Sequence, residues 1–190
     1  EVSRQGINID ILLGMENHLT TDLPFLVEQN KGYSINGNRY ILVELPFTFY
    51  PGYVEEILFN LQLNGLVPII AHPERQSSIQ SDFTLMRKLV ERGILGQVTA
   101  MSITGRFGAE AQKSAHTLLK NGLVHVIASD AHRPSGPRTP VMSDAVTEAG
   151  KIIGDTKAIK MAVSNAEAIL TGAPIDSSLN TQEKHWKFWR

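Results

Sequence analysis

Pro68-Ile69-Ile70-Ala71-His72-Pro73-Glu74-Arg75 and Val126-Ile127-Ala128-Ser129-Asp130-Ala131-His132 are apolar runs that stop abruptly in imidazole and carboxylate side chains. A short apolar run bounded by turn residues reads as a buried strand of a parallel sheet. In α/β proteins the reacting groups gather beyond the carboxyl ends of the strands, where loops vary while the sheet stays rigid. Two strands that end in metal-ligand chemistry therefore predict a metal site at one end of such a sheet.

Outward from these tracts, five strands are expected, at 7–13, 40–45, 67–72, 95–100 and 124–129. Helical stretches alternate with them, at 53–64, 83–92 and 109–121, each closed by a glycine (Gly65, Gly93, Gly122) that supplies a left-handed cap. Alternation of this kind argues for βα units and a parallel sheet. An open parallel sheet leaves two unpaired edges, so either the edges are covered or strands are missing upstream. Beyond Ser143 the pattern is helical, over 144–150 and 159–170, until Gly172-Ala173-Pro174. Residues 1–172 form one domain and 173–190 a tail. The tail ends in His185-Trp186-Lys187-Phe188-Trp189-Arg190, read as a docking segment in preference to an interfacial anchor.

Composition narrows the chemistry. The chain has 190 residues, is 42% hydrophobic and carries a formal net charge of −1 from 18 basic and 19 acidic side chains, without long blocks of one sign. No clustered basic face for nucleic acid is in sight. There is no cysteine, which excludes disulfides, thiolate zinc sites and a thiol nucleophile, the cysteine-dependent tyrosine phosphatase mechanism included. No apolar run approaches the roughly 20 residues of a membrane span, so no direct membrane insertion is expected and a cytoplasmic location is the default.

Glu16, His72, Asp130 and His132 make the core of the metal hypothesis. Oxygen and imidazole donors together suit manganese, iron or zinc. In extended chain, residues i and i+2 project to one side, so Asp130 and His132 both reach one ion, while His125 faces the other way as a packing or surface residue. By spacing alone Glu16 is either a ligand or part of an ordinary polar loop, and His18 shares its side as an auxiliary residue. Arg75 and Arg138 follow the ligand tracts, and their guanidinium groups offer paired donors matched to phosphate oxygens. Arg106, in a glycine-rich loop, has weaker standing of the same kind. His116 and His185 are read as structural or solvated.

With Gly14-x-Glu16, Ala71-His72-Pro73-Glu74-Arg75, Gln97-Val98-Thr99-Ala100, Thr104-Gly105-Arg106-Phe107-Gly108 and Ser129-Asp130-Ala131-His132 in this order, the chain resembles the bacterial metal-dependent protein-tyrosine phosphatases of capsule and exopolysaccharide biosynthesis. These belong to the polymerase and histidinol phosphatase (PHP) superfamily, and the resemblance runs from about residue 11 to 170. It implies a distorted (β/α)7 barrel with a multinuclear centre of divalent metal ions, Mn2+ ahead of iron or zinc. It places metal ligands on Glu16, His72, Asp130 and His132 and phosphate contacts on Arg75 and Arg138. The family opens with a His-x-His strand, an acidic loop and a second histidine-bearing strand. None of these stands ahead of Glu16, so the first two βα units are expected to be missing from this chain. The implied substrate is a phosphotyrosine protein, a bacterial tyrosine autokinase that regulates polysaccharide export. Two rival readings stay open: a small-molecule phosphoesterase of the same superfamily, acting on histidinol phosphate or a nucleotide, and an inactive truncated barrel that serves as a binding or oligomerising module. A homo-oligomer is expected on general grounds.

Overall fold

In a computed structural model, which describes residues 3–136 and 138–176, five strands form one all-parallel sheet in the order β1-β2-β3-β4-β5. They are β1 (Glu16–His18), β2 (Tyr40–Glu44), β3 (Val67–Ala71), β4 (Leu95–Thr99) and β5 (Val126–Ala128). Parallel neighbours need a crossover, and helices supply it each time. Between the strands run α1 (Leu23–Glu28), α2 (Val54–Leu63), α3 (Ser77–Ser81), α4 (Thr84–Glu91), α5 (Ala100–Ile103) and α6 (Ala109–Lys120). After β5 come α7 (Ser143–Ile153), α8 (Asp155–Ala162) and α9 (Ser164–Thr171). The expected α/β class with a parallel sheet is what is found. The aromatic-basic tail and His185 lie outside the described residues.

Both faces of the sheet are apolar, as parallel sheets require. On one face Ile41, Val43, Ile70, Val98 and Ile127 join the main core with Leu58, Leu61, Met86, Leu89 and Leu118 from the helices. On the other, Tyr40, Ile69, Leu95 and Val126 form a smaller cluster with Ile169 of α9. Gly96 is required where β4 meets the lead-in to β5: a Cβ there would lie 2.8 Å from the Leu123 carbonyl oxygen. That close approach lets His125 N–H donate to the Gly96 carbonyl (2.7 Å) while Gly96 N–H donates to His125 Nδ1 (3.1 Å). His125 is thus a buried packing residue, as its parity suggested. Its own carbonyl accepts from Asn165 Nδ2 of α9 (2.7 Å), which covers a backbone group at the start of the β5 edge.

Two expectations are corrected. The alternating run Ile7 to Leu13 forms no strand, and Ile7, Ile9, Ile11, Leu12 and Leu13 are exposed. The first strand lies further on, at Glu16–His18, because that is where the chain finds the parallel register with β2. Alternation marks a segment able to pair, whereas pairing itself needs a neighbour. The long C-terminal helix begins at Asp155 and breaks at Val163, whose backbone (φ −119°, ψ −73°) separates α8 from α9.

Candidate metal centre

The carboxyl ends of the strands carry the polar groups, and strand register decides which of them meet. Glu16 pairs with Leu42 and His18 with Glu44, and Leu42 in turn pairs with Ile69. Residues in register share a face, so Glu16, His18 and Glu44 all stand on the side of the smaller core, above Leu42 and Ile69. Asn17 faces the opposite way and is buried; its amide donates to the carbonyls of Tyr33 (3.1 Å) and Leu42 (3.0 Å), which pins the parity of β1.

By the same parity His72, one residue past the end of β3, would point into the main core. It does not, because its backbone is left-handed (φ 33°, ψ 54°), a conformation that costs a non-glycine residue about 1–2 kcal/mol. The reversal turns the imidazole toward the acidic groups: His72 Nε2 lies 2.9 Å from Glu16 Oε1 and 3.3 Å from Glu44 Oε1. His18 Nδ1 reaches the other oxygen of Glu44 at 2.7 Å. Glu16, Glu44 and His72 offer donor atoms all within 4.8 Å of one another. Two carboxylates and one imidazole match the hard and borderline donor preferences of divalent first-row ions, and a dianionic donor set suits a dication.

The electrostatics of the two carboxylates diverge. The hydrogen bond from His72 holds the Glu16 carboxyl below its ordinary range against the opposing effect of burial. Burial, and next the neighbouring Glu16 charge, push the Glu44 carboxyl up. Like-charged groups this close resist joint ionisation, and a cation between them removes that resistance.

Asp130 and His132 form a neighbouring group. Asp130 is left-handed (φ 51°), so the extended-chain argument that aligned it with His132 does not describe this segment. The two are nevertheless close, because the His132 ring folds back: its Nδ1 lies 3.0 Å from the Asp130 carbonyl oxygen and 3.5 Å from Oδ1. Asp130 Oδ2 accepts from Arg138 Nη2 at 2.5 Å and from Arg75 Nη1 at 3.5 Å. Arg138 is itself left-handed (φ 64°), and its carbonyl accepts from His132 N–H (2.8 Å), which closes the loop. Sequence reasoning thus named residues that sit in two adjoining groups, Glu16 with His72 and Asp130 with His132, Arg75 and Arg138. Arg106 instead pairs with Asp144 on the surface (3.6 Å), and His116 Nε2 contacts the Ile103 carbonyl (3.1 Å) in a structural role.

An aromatic ladder joins the groups. Phe47 stacks on His72 with centroids 5.4 Å apart and planes 10° from parallel. The Arg75 guanidinium lies 4.9 Å from the Phe47 ring and 4.7 Å from the Phe107 ring, and Arg138 lies 5.9 Å from Phe107.

Glu44 is the residue that sequence reasoning missed. The signal was present: Tyr40-Ile41-Leu42-Val43 is an apolar run that ends in a carboxylate and then Leu45-Pro46, the pattern already used for His72 and Asp130.

Glu74 of the same tract has a different task. It is fully buried, and its Oε1 accepts from Ser102 Oγ (2.6 Å) and Thr99 N–H (3.1 Å), tying the turn after β3 to the end of β4 and to α5. Burial pushes its carboxyl up. A group raised in the folded state contributes stability that is present below the ordinary carboxylate range and is lost as pH rises through the folded value. Glu74→Gln, which keeps an acceptor and has no charge, is expected to fold with stability within about 1 kcal/mol of the parent and to lose that pH dependence, whereas Glu74→Leu strands both donors and costs about 2–3 kcal/mol. Urea unfolding at pH 5 and pH 8 checks both, and equal stability of the two variants would rule out the tie.

Comparison with known proteins adds the following. A family model described as capsular polysaccharide synthesis, CpsB/CapC, matches residues 1–171. The chain is 31% identical over 189 residues to CapC of Staphylococcus aureus, which covers all of this chain and 72% of that protein. To the tyrosine-protein phosphatase YwqE of Bacillus subtilis it is 36% identical over 129 residues, 68% of this chain and 51% of that one. To the tyrosine-protein phosphatase CpsB of Streptococcus pneumoniae it is 30% identical over 167 residues, 84% and 68%. It superposes with a TM-score of 0.86 at 32% identity, over 92% of this chain and 70% of the other, on a chain from crystal structures of YwqE and CpsB, described there as metal-dependent tyrosine phosphatases.

Proposed function

The chain belongs to the CpsB/CapC family of capsular polysaccharide synthesis, and from that premise we propose that it hydrolyses phosphotyrosine on a protein with the help of divalent metal ions. The observation that carries the reading is the convergence of Glu16, Glu44 and His72 on one point at the carboxyl end of the sheet. Two guanidinium groups, Arg75 and Arg138, stand in the adjoining group. Metal donors beside paired arginines are the components of phosphoryl transfer by positioning and charge neutralisation.

Glu16, Glu44 and His72 would hold an ion in this reading, and Asp130 and His132 would supply further ligands with Asp130 released from Arg75 and Arg138. When bound, divalent ions supply a water nucleophile at neutral pH and positive charge for the phosphoryl oxygens. Arg75 and Arg138 then move their donors from Asp130 to the phosphate and hold it in line. The bond from phosphorus to the phenolic oxygen breaks as the bond to the water oxygen forms. Phenol has a pKa of about 10, so the phenolate leaves without a strong general acid. His18, fixed on Glu44, keeps that carboxylate oriented.

The finer features of the same proposal are a PHP-type distorted (β/α)7 barrel for the complete phosphatase, Mn2+ as the working metal, a cytoplasmic tyrosine autokinase as substrate and a homo-oligomer as the assembled form. Among the described residues no helix is long and apolar enough to cross a membrane.

The testing experiment is hydrolysis of a phosphotyrosine peptide by this chain with added Mn2+, repeated with a chelator and with His132→Ala. Chelator-sensitive turnover that falls at least a hundredfold in the variant is expected. Turnover indifferent to both would refute a metal-dependent mechanism.

A further inference from the structure

Phe47 and Phe107 have no part in holding metal or phosphate, yet they flank the arginine that is to hold the phosphate. Each stands on an anchored stretch of backbone. The Phe47 carbonyl accepts from Ser77 N–H at the start of α3 (2.8 Å). Phe107 lies in a turn closed by bonds from Arg106 N–H to the Met101 carbonyl (2.8 Å) and from Gly108 N–H to the Gly105 carbonyl (3.1 Å). Neither ring is buried: Phe47 is 40% exposed, and Phe107 is half-buried. Aromatic rings grouped at the surface beside a reaction site offer a large, flat apolar contact area.

The Arg75 guanidinium lies against both rings, and beside this cluster opens a cavity of about 320 Å3, lined by Phe47, Arg75, Gln80, Phe107, Glu110 and Ala111. Its chemistry limits the occupant. Arg75 supplies the one positive charge in the lining, and its guanidinium faces both rings. The Gln80 amide already donates to the Glu74 carbonyl (2.9 Å). The Glu110 carboxylate disfavours a second anion. What remains is an open depression with aromatic lining next to a phosphate-holding cation, which suits a flat uncharged ring carried on a single phosphate.

We propose that Phe47 and Phe107 form the subsite for the aryl group of the substrate and set the preference for aryl over alkyl phosphate monoesters. The phosphate is held by Arg75 and Arg138 at the metal end, and the phenyl ring of the leaving group lies in the cavity against Phe47 and Phe107. A serine or threonine phosphate presents no flat face and leaves the cavity unfilled. This proposal rests on the phosphotyrosine reading above and deepens it. The competing role for the rings, holding Arg75 in place through cation–π contact alone, affects every phosphate ligand alike.

The test compares two probes by calorimetry on the Mn2+-supplemented chain: benzylphosphonate, a non-hydrolysable ring-bearing monoester mimic, and inorganic phosphate. Parent protein, Phe107→Ala, Phe47→Ala and the milder Phe107→Leu are measured with both. The parent is expected to bind benzylphosphonate more tightly than phosphate. Each alanine variant should weaken benzylphosphonate about tenfold and phosphate less than about threefold, with Phe107→Leu intermediate. Equal weakening of both probes, or a parent with no preference for the ring, overturns the subsite. Ring-selective binding without turnover of a phosphotyrosine peptide supports the subsite and counts against hydrolysis, whereas turnover with equal weakening counts against the subsite alone.

Discussion

Glu44→Gln is expected to abolish metal-dependent turnover and to weaken Mn2+ binding a hundredfold or more. Loss of an outer-shell partner of a metal ligand already costs about 10–100-fold in affinity, and Glu44 is placed to bind the ion directly. The substitution preserves shape and leaves a neutral amide beside His72 and Glu16, so the fold has no reason to fail. The sign of the pH dependence follows from the electrostatics. Glu44 is raised, by burial first and the Glu16 charge second, so it carries its proton to higher pH than an ordinary carboxyl. Metal must displace that proton, so affinity of the parent rises with pH through the raised value and binding releases protons. In Glu44→Gln that release shrinks. Calorimetric Mn2+ titration in two buffers of different ionisation enthalpy reads both quantities. Unchanged affinity in the variant would remove Glu44 from the metal centre.

Arg75→Lys is expected to lower kcat/KM for a phosphotyrosine peptide by about 10²–10³-fold, the range seen when one donor to a developing oxyanion is removed. Lysine keeps the charge and loses everything else: the planar fork that pairs with phosphate oxygens, and the flat cation that lies within 4.9 Å of Phe47 and 4.7 Å of Phe107. Mn2+ affinity, measured separately, is expected to hold, because Arg75 approaches Asp130 only at 3.5 Å and in the proposed reading leaves that carboxylate for the phosphate. A lysine variant with near-parental kcat/KM would show that charge alone suffices there.

The apolar runs ending in His72 and Asp130 were legible because strand termination in a polar ligand is a local pattern, and the helices over 53–64, 83–92 and 109–121 were legible because their period and glycine caps are local too. The first strand was misplaced because alternation in Ile7 to Leu13 states a capacity to pair, and only the position of β2 decides whether it is used. Glu44 was overlooked although its tract has the same form as the others. Nothing in one strand says that its terminal carboxylate lies opposite His18 in one neighbour and within reach of His72 after the next.

By itself, the sequence determined the chemistry available to this protein: a parallel α/β chain without cysteine, with carboxylates and imidazoles at strand ends and arginines following them. These are properties of residue type and short-range order. The tertiary structure alone decided which of those groups meet. The parallel register sets Glu16, His18 and Glu44 on one face, and a left-handed backbone at His72 carries its ring across to them. Contact between residues far apart in the chain depends on register and on single backbone reversals, and neither is written in the spacing of the residues concerned.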